Sequence, residues 1–163
     1  MVETLCASPL CLRLFWKDTS IDRIDLAPLK SGDSREIKSP EGEALQAALD
    51  DYVAGKRVDW PELPLAMDKL PPFTHKVLTI LRNKVPPGKT MTYGQLANLA
   101  GNPKAGRAVG RALAKNPWPL VVPCHRIIAR GGGLCGFSAE GGLDLKHWLL
   151  ELESGNPSRL KHA

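Results

Sequence analysis

Apolar and polar positions alternate, imperfectly, over residues 10–16 and again over 21–27, the period of strands that bury one face. Lys17-Asp18-Thr19-Ser20 between them has the composition of a turn, so the pair predicts a β-hairpin. Ser39-Pro40 then supplies an N-cap and a first helical residue, with Glu41 and Glu43 near the positive end of the helix dipole. Leu45, Ala48, Leu49, Tyr52 and Val53 fall on one face at helical spacing, and Gly55 suits the stop. Pro61, Pro64, Pro71 and Pro72 mark a linker. Beyond it, residues 74–84 predict a helix with Val77, Leu78 and Leu81 inward, closed by Pro86-Pro87-Gly88. Thr92 and Gln95 fit a capping box that opens a short helix ending at Ala100-Gly101, and Asn102-Pro103 predicts the start of the next. Two short helices with a tight Gly-Asn-Pro junction are the pattern of a helix-turn-helix. Asn116-Pro117-Trp118-Pro119 breaks the second helix. Leu120-Val121-Val122 reads as a short buried strand ended by Pro123, with Ile127-Ile128-Ala129 as a second apolar run.

Charge divides the chain where the linker does. Residues 1–72 carry nine Lys/Arg against thirteen Asp/Glu, whereas residues 73–163 carry thirteen against four. Between Asp68 and Glu140 there is no acidic residue, yet eleven Lys/Arg. A solvated basic face with no partner usually comes with compensating acids, so the second half carries the electrostatic footprint of a nucleic-acid binder. The expected organisation is two domains, 1–72 and 73–163, with no chemistry predicted in the first. The apolar runs are too short to span a bilayer, and the N-terminus, with Glu3 and Cys6, lacks a secretion-signal pattern. A cytoplasmic protein with no membrane contact is expected. The four cysteines lack the density of a disulfide scaffold and contain no Cys-x-x-Cys pair. Cys6, Cys11 and Cys135 are expected to be buried or half-buried small hydrophobes.

The helix predicted after Asn102-Pro103 has Ala105, Val109, Ala112 and Leu113 on its inner face. Lys104, Arg107, Arg111 and Lys115 form an adjacent stripe. Gly106 and Gly110 each cost such a helix about 1 kcal/mol relative to Ala, a cost best understood if another backbone approaches closely. Contact with a phosphate backbone and groove accounts for the glycines and the cations; tight helix packing accounts only for the glycines. Cys124-His125 follows at the turn between the two apolar runs. A thiol is a nucleophile as thiolate, and beside His125 and Arg126 its pKa is expected to fall.

Residues 73–155 resemble the alkyl-acceptor part of the O6-alkylguanine-DNA alkyltransferases. The match runs through Thr92-Tyr93-Gly94-Gln95-Leu96-Ala97, the stretch from Gly101 to Gly110, Asn116-Pro117, and Val122-Pro123-Cys124-His125-Arg126. It continues through Gly136-Phe137-Ser138, Gly141-Gly142-Leu143 and Lys146-His147-Trp148-Leu149-Leu150. The resemblance implies an α+β fold with a small ribonuclease-H-like N-terminal domain and a mostly helical, winged-helix-like C-terminal domain. It implies repair of DNA by irreversible, single-turnover transfer of an alkyl group from O6 of guanine, with O4 of thymine as a further candidate, onto Cys124 after base flipping. His125 would activate Cys124 through a water, Glu153 would orient His125, and Asn116 would be a hinge. Arg107 would fill the gap left by the extruded base and Tyr93 would help turn the target phosphate, with Lys104, Ala105, Gly110 and Arg111 also at the DNA. Trp118, Pro119, Ile127, Phe137 and Ser138 would line the base pocket. The partner implied is double-stranded DNA containing O6-alkylguanine, met by a monomer with no cofactor.

The chain departs from the family in having Phe137 where Tyr is common, which removes one pocket hydroxyl. His75, His125, His147 and His162 all lie in the second half, so no structural zinc is expected. Three rival readings each leave something over. A non-enzymatic damage binder of the alkyltransferase-like type would lack the acceptor, yet Cys124 is present. A thiol hydrolase explains Cys, His and Glu but not the acid-free basic stretch. A transcription regulator explains the helix-turn-helix but not the buried cysteine turn.

Overall fold

The computed structural model describes residues 1–133 and 136–160. Three antiparallel strands, β1 (Val2–Ala7), β2 (Leu10–Lys17) and β3 (Ser20–Pro28), form a meander in the order β1-β2-β3. The predicted hairpin is β2–β3, its turn tightened to Asp18-Thr19 with Asp18 at φ 55°. β1 was not expected. Its inward positions are Glu3, Leu5 and Ala7, and the carboxylate among them hides the alternation. Glu3 is tolerated at no exposure because Trp16 Nε1, the Lys38 and Ser39 amides and the Ser39 hydroxyl all donate to it.

Helix α1 (Pro40–Val53) starts where expected: the Ser39 side chain accepts from the Gly42 amide, and Leu45, Leu49 and Tyr52 face the core. Helix α2 (Pro72–Lys84) buries Val77, Leu78 and Leu81. Strand β4 (Met91–Thr92) runs into α3 (Tyr93–Leu99) through the full Thr92–Gln95 capping box. Helix α4 (Gly106–Ala114) begins later than the Asn102-Pro103 signal implied. The Asn102 side chain accepts from the Lys104 amide, and the Ala105 amide donates to the Asn102 carbonyl, so the capping chemistry closes a turn instead of starting a helix. Lys104 and Ala105 therefore precede α4.

Leu120-Val121-Val122 is buried but is not a strand. Leu120 takes φ 74°, Pro119 and Val122 form an isolated bridge, and the Val122 amide returns to the Trp118 carbonyl. A left-handed leucine costs on the order of 1–2 kcal/mol, and full burial of its side chain offsets this. Strand β5 (Ile127–Ile128) pairs in parallel with β4, and α5 (Gly142–Glu153) completes the chain's regular structure. The apolar core is continuous from Leu5 through Val77 to Leu149. Two hydrogen bonds fasten the Pro117–Trp118 loop to β3: the Ile24 amide to the Pro117 carbonyl at 2.8 Å, and Trp118 Nε1 to the Ile21 carbonyl at 2.9 Å. No helix among the described residues is long and apolar enough to cross a membrane.

Candidate active site

Cys124 opens a single 3-10 turn, Cys124–Arg126, just before β5. The turn sends its side chains apart: Cys124 stays half-buried, whereas His125 and Arg126 point inward with 0% and 4% exposure. Both meet Glu153, the last residue of α5. His125 Nε2 lies 2.7 Å from Glu153 Oε1. Arg126 grips the same carboxylate twice, Nε to Oε2 and Nη2 to Oε1 at 2.9 Å each, and donates Nη1 to the Val85 carbonyl past the end of α2. A third group comes from α1: the Tyr52 hydroxyl donates to Oε1 at 2.8 Å.

Burial alone would raise the Glu153 carboxyl, but His125 and Arg126 more than reverse this and hold it well below the usual carboxylate range. For His125 the balance runs the other way. Burial outweighs the attraction of Glu153 and lowers the imidazole from its ordinary value. A neutral ring facing a carboxylate must place its proton on the facing nitrogen. Nε2 is therefore the donor and Nδ1 carries the lone pair. Nδ1 is buried with no hydrogen-bond partner among the described residues. The ring is thus an oriented base with its accepting nitrogen uncommitted.

Burial pushes the Cys124 thiol up, opposed by a hydrogen bond from Asn116 and by the Lys146 charge. The expected fall does not occur, because Arg126, the cation closest in sequence, is turned away and committed to Glu153. A raised thiol needs a base, and the base stands next to it in the chain. Asn116 holds the preceding loop: its Nδ2 donates to the Val122 carbonyl at 2.9 Å and its Oδ1 accepts from the Trp118 amide at 3.0 Å.

Cys124 opens into a cavity of about 400 Å³ walled by Tyr93, Gly110, Leu113, Ala114, Gly136, Phe137 and Ser138. Its lining is largely apolar, as in most small-molecule pockets.

Residues 72–155 match the family model described as 6-O-methylguanine DNA methyltransferase, DNA binding domain. The chain is 39% identical over 141 residues to a methylated-DNA–protein-cysteine methyltransferase of Shigella flexneri, covering 85% of this chain and 80% of that protein. The chain belongs to the methylated-DNA–protein-cysteine methyltransferase family. A Cricetulus griseus member is 42% identical over 115 residues, 71% of this chain and 54% of its own, so the chain spans about half the length of that relative. Among solved structures, Mycobacterium tuberculosis OGT in complex with DNA superposes with a TM-score of 0.74 at 32% identity, covering 95% of this chain and 94% of that one.

Of the four residues expected to carry the chemistry, His125 and Glu153 meet directly and Asn116 holds the loop before Cys124, whereas Cys124 and His125 are neighbours in the chain whose side chains diverge. Of the five residues expected to line the pocket, only Phe137 and Ser138 do so. Trp118 is 1% exposed and spends its indole N–H on β3. Ile127 is fully buried in β5. Pro119 lines a neighbouring groove with Asn116, Pro117 and Ser138. Gly110 and Tyr93, expected at the DNA, also wall the cavity, and Leu113, Ala114 and Gly136 complete it. Leu113 was readable as an inner-face helical residue; its share in the pocket needed the fold. Arg107 and Arg111 are exposed one turn apart on α4, with Lys104 and Lys115 exposed at its two ends. None of the four forms an ion pair among the described residues, whereas seven N-terminal cations from Arg13 to Lys69 do. A Cβ added at Gly106 would meet nothing within 4 Å, and one at Gly110 only Tyr93 at 3.9 Å. Internal helix packing therefore does not account for these glycines. Cys11 is buried and Cys6 half-buried, as expected; Cys135 and His162 lie outside the described residues. No cluster of three or more His, Cys, Asp or Glu among the described residues could hold a metal.

Glu153→Gln keeps the size of the side chain but leaves Arg126 buried without its counter-charge, a loss of about 3–5 kcal/mol. The Glu153 carboxyl is depressed in the folded state, so its contribution is complete above the ordinary value of 4.5 and fades as pH falls below it. Urea unfolding of both proteins is expected to show a gap that is constant near neutrality and narrows in acid. A gap under about 0.5 kcal/mol, or one indifferent to acid, contradicts the charge balance.

Proposed function

We propose that the chain repairs alkylated DNA by transferring the alkyl group from O6 of guanine to Sγ of Cys124. The observation that carries this reading is a half-buried thiol at the wall of an apolar cavity, adjacent in the chain to a neutral, carboxylate-oriented imidazole. His125 takes the thiol proton, through a water as the resemblance implies. Sγ then attacks the alkyl carbon, the carbon–O6 bond breaks with its electron pair going to the guanine, and the proton is returned to the base. Guanine leaves and a thioether remains on Cys124. Water cannot expel a thioether sulfur as it can an acyl thioester's, so each molecule reacts once. The same chemistry fits O4 of thymine.

The alkyl carbon lies inside the base stack, so the nucleotide must be extruded at a cost of a few kcal/mol. Arg107 would occupy the gap, a role supported by its exposure near the start of α4 and by its having no ion pair among the described residues. Tyr93 would help turn the target phosphate, a role its position at the cavity wall supports. The exposed cations of α4, without ion pairs among the described residues, and its open glycine face support contact with a phosphate backbone and groove. We infer further that residues 1–72 and 73–163 are two domains, the first ribonuclease-H-like and the second winged-helix-like. The three-stranded meander packed on α1, and the α3–α4 pair beside β4 and β5, support that division. We infer too that the protein acts on DNA as a monomer in the cytoplasm.

Incubation with duplex DNA containing O6-methylguanine is expected to add one methyl group to the intact protein, located on Cys124 by peptide mass analysis. An unchanged mass, or a methyl group elsewhere, rules the transfer out. Arg107→Ala is expected to lose at least tenfold in rate on duplex DNA, the equivalent of about 1.4 kcal/mol of extrusion energy, while reacting normally with free O6-alkylguanine. Equal losses on both substrates would contradict its role in extrusion.

A further inference from the structure

Tyr52 is by position a core residue of α1, 3% exposed, with its ring 5.1 Å from that of Trp60 and tilted by 44°. A phenol at that depth needs a hydrogen-bond partner. The partner is Glu153 Oε1, 101 positions along the chain and the same oxygen that faces His125. We propose that Tyr52 is a positioning residue for alkyl transfer, setting through Glu153 the direction and basicity of the His125 imidazole. The inference rests on the proposed transfer to Cys124.

Three donors converge on Oε1: His125 Nε2, Arg126 Nη2 and the Tyr52 hydroxyl. A carboxylate oxygen has two lone pairs to share, so each donor weakens the others' hold. The Tyr52 bond draws charge from Oε1 and lessens its pull on the His125 proton, keeping the imidazole a neutral base. Without the hydroxyl, Oε1, still held by Arg126, draws the His125 proton more strongly and favours the imidazolium. Burial and the neighbouring carboxylate raise the phenol well above its ordinary value, so it remains a donor throughout the working pH range. The other charged groups facing this cluster are Arg126 from the Cys124 turn and Lys146 from α5, both of which lower His125. Lys56 and Arg57 line the adjoining cavity that Tyr52 and Glu153 share. Buried Cys11 and half-buried Cys6, in the chain's first half, have no such link to the relay.

Tyr52→Phe keeps the ring and its contact with Trp60 while removing the hydroxyl. The rate of alkyl transfer from free O6-alkylguanine, which does not depend on DNA affinity, is measured from pH 5 to 9 in roughly half-unit steps for both proteins. The variant's profile is expected to have its midpoint moved up by about half a unit to one unit. Its rate is then about threefold to tenfold lower near the midpoint and converges with the parent's in alkali. Superimposable profiles, or a uniform loss with the midpoint unmoved, would make Tyr52 a packing residue and overturn the proposal. His125→Ala in the same assay separates this from the parent reading. If its profile keeps the same rate and limb, the relay itself fails. If His125→Ala abolishes the limb while Tyr52→Phe moves nothing, only the role of Tyr52 fails.

Discussion

A carboxylate with 2% of its side chain exposed cannot remain charged unless its surroundings replace the water it has lost. Glu153 meets that condition with Arg126, His125 and Tyr52, and much of the structure's local order follows. Arg126 must turn inward to reach it, and in doing so fixes the Cys124 turn against the end of α2 through the Val85 carbonyl. His125 must turn inward as well, and Cys124, one residue earlier in a 3-10 turn, is left to face the cavity. Tyr52 brings α1 to the same point. One buried charge thus joins α1, α2, α5 and the acceptor turn, and its satisfaction determines the direction of the thiol.

The second organising element is α4. Its surface presents Arg107 and Arg111 to solvent, its buried side carries Val109 and Ala112, and Gly110, Leu113 and Ala114 form part of the cavity wall. In the proposed function, the same helix would meet DNA on one surface and wall the base cavity on another, coupling placement on the duplex to delivery of the base. The raised thiol belongs to the same logic. Under the proposed transfer, a thiol spent in one reaction would be protected from stray electrophiles if it becomes a thiolate only beside a base, with substrate already seated.

Sequence-local physics accounted for a good part of this. The hairpin β2–β3, the Ser39 cap of α1, the inward face of α2 and the Thr92–Gln95 box are patterns within a few residues, and each formed as read. The misreadings came where a local signal admitted two outcomes. Asn102-Pro103 can cap a helix or close a turn, and the Lys104 amide took the side chain first. An apolar triplet such as Leu120-Val121-Val122 shows burial without showing conformation. Other features were set by partners too distant to read. Glu3 looks like an exposed acid until Ser39 and Trp16 arrive, Trp118 looks like a pocket wall until β3 claims its indole, and Tyr52 looks like core until its hydroxyl finds Glu153. The Cys, His and Glu of the site were legible through family resemblance. The inward turn of Arg126, which changes the expected behaviour of the thiol, was not.

The arrangement depends most on a neutral His125 ring, protonated on Nε2 against Glu153 and open at Nδ1. Nitrogen-15 NMR of the imidazole, followed across pH in protein labelled at histidine, reads both nitrogens directly. A protonated Nε2 and an unprotonated Nδ1 are expected at pH 7, with the ring gaining its second proton only below the ordinary value of 6.5. An imidazolium at pH 7, or a neutral ring carrying its proton on Nδ1, would contradict it.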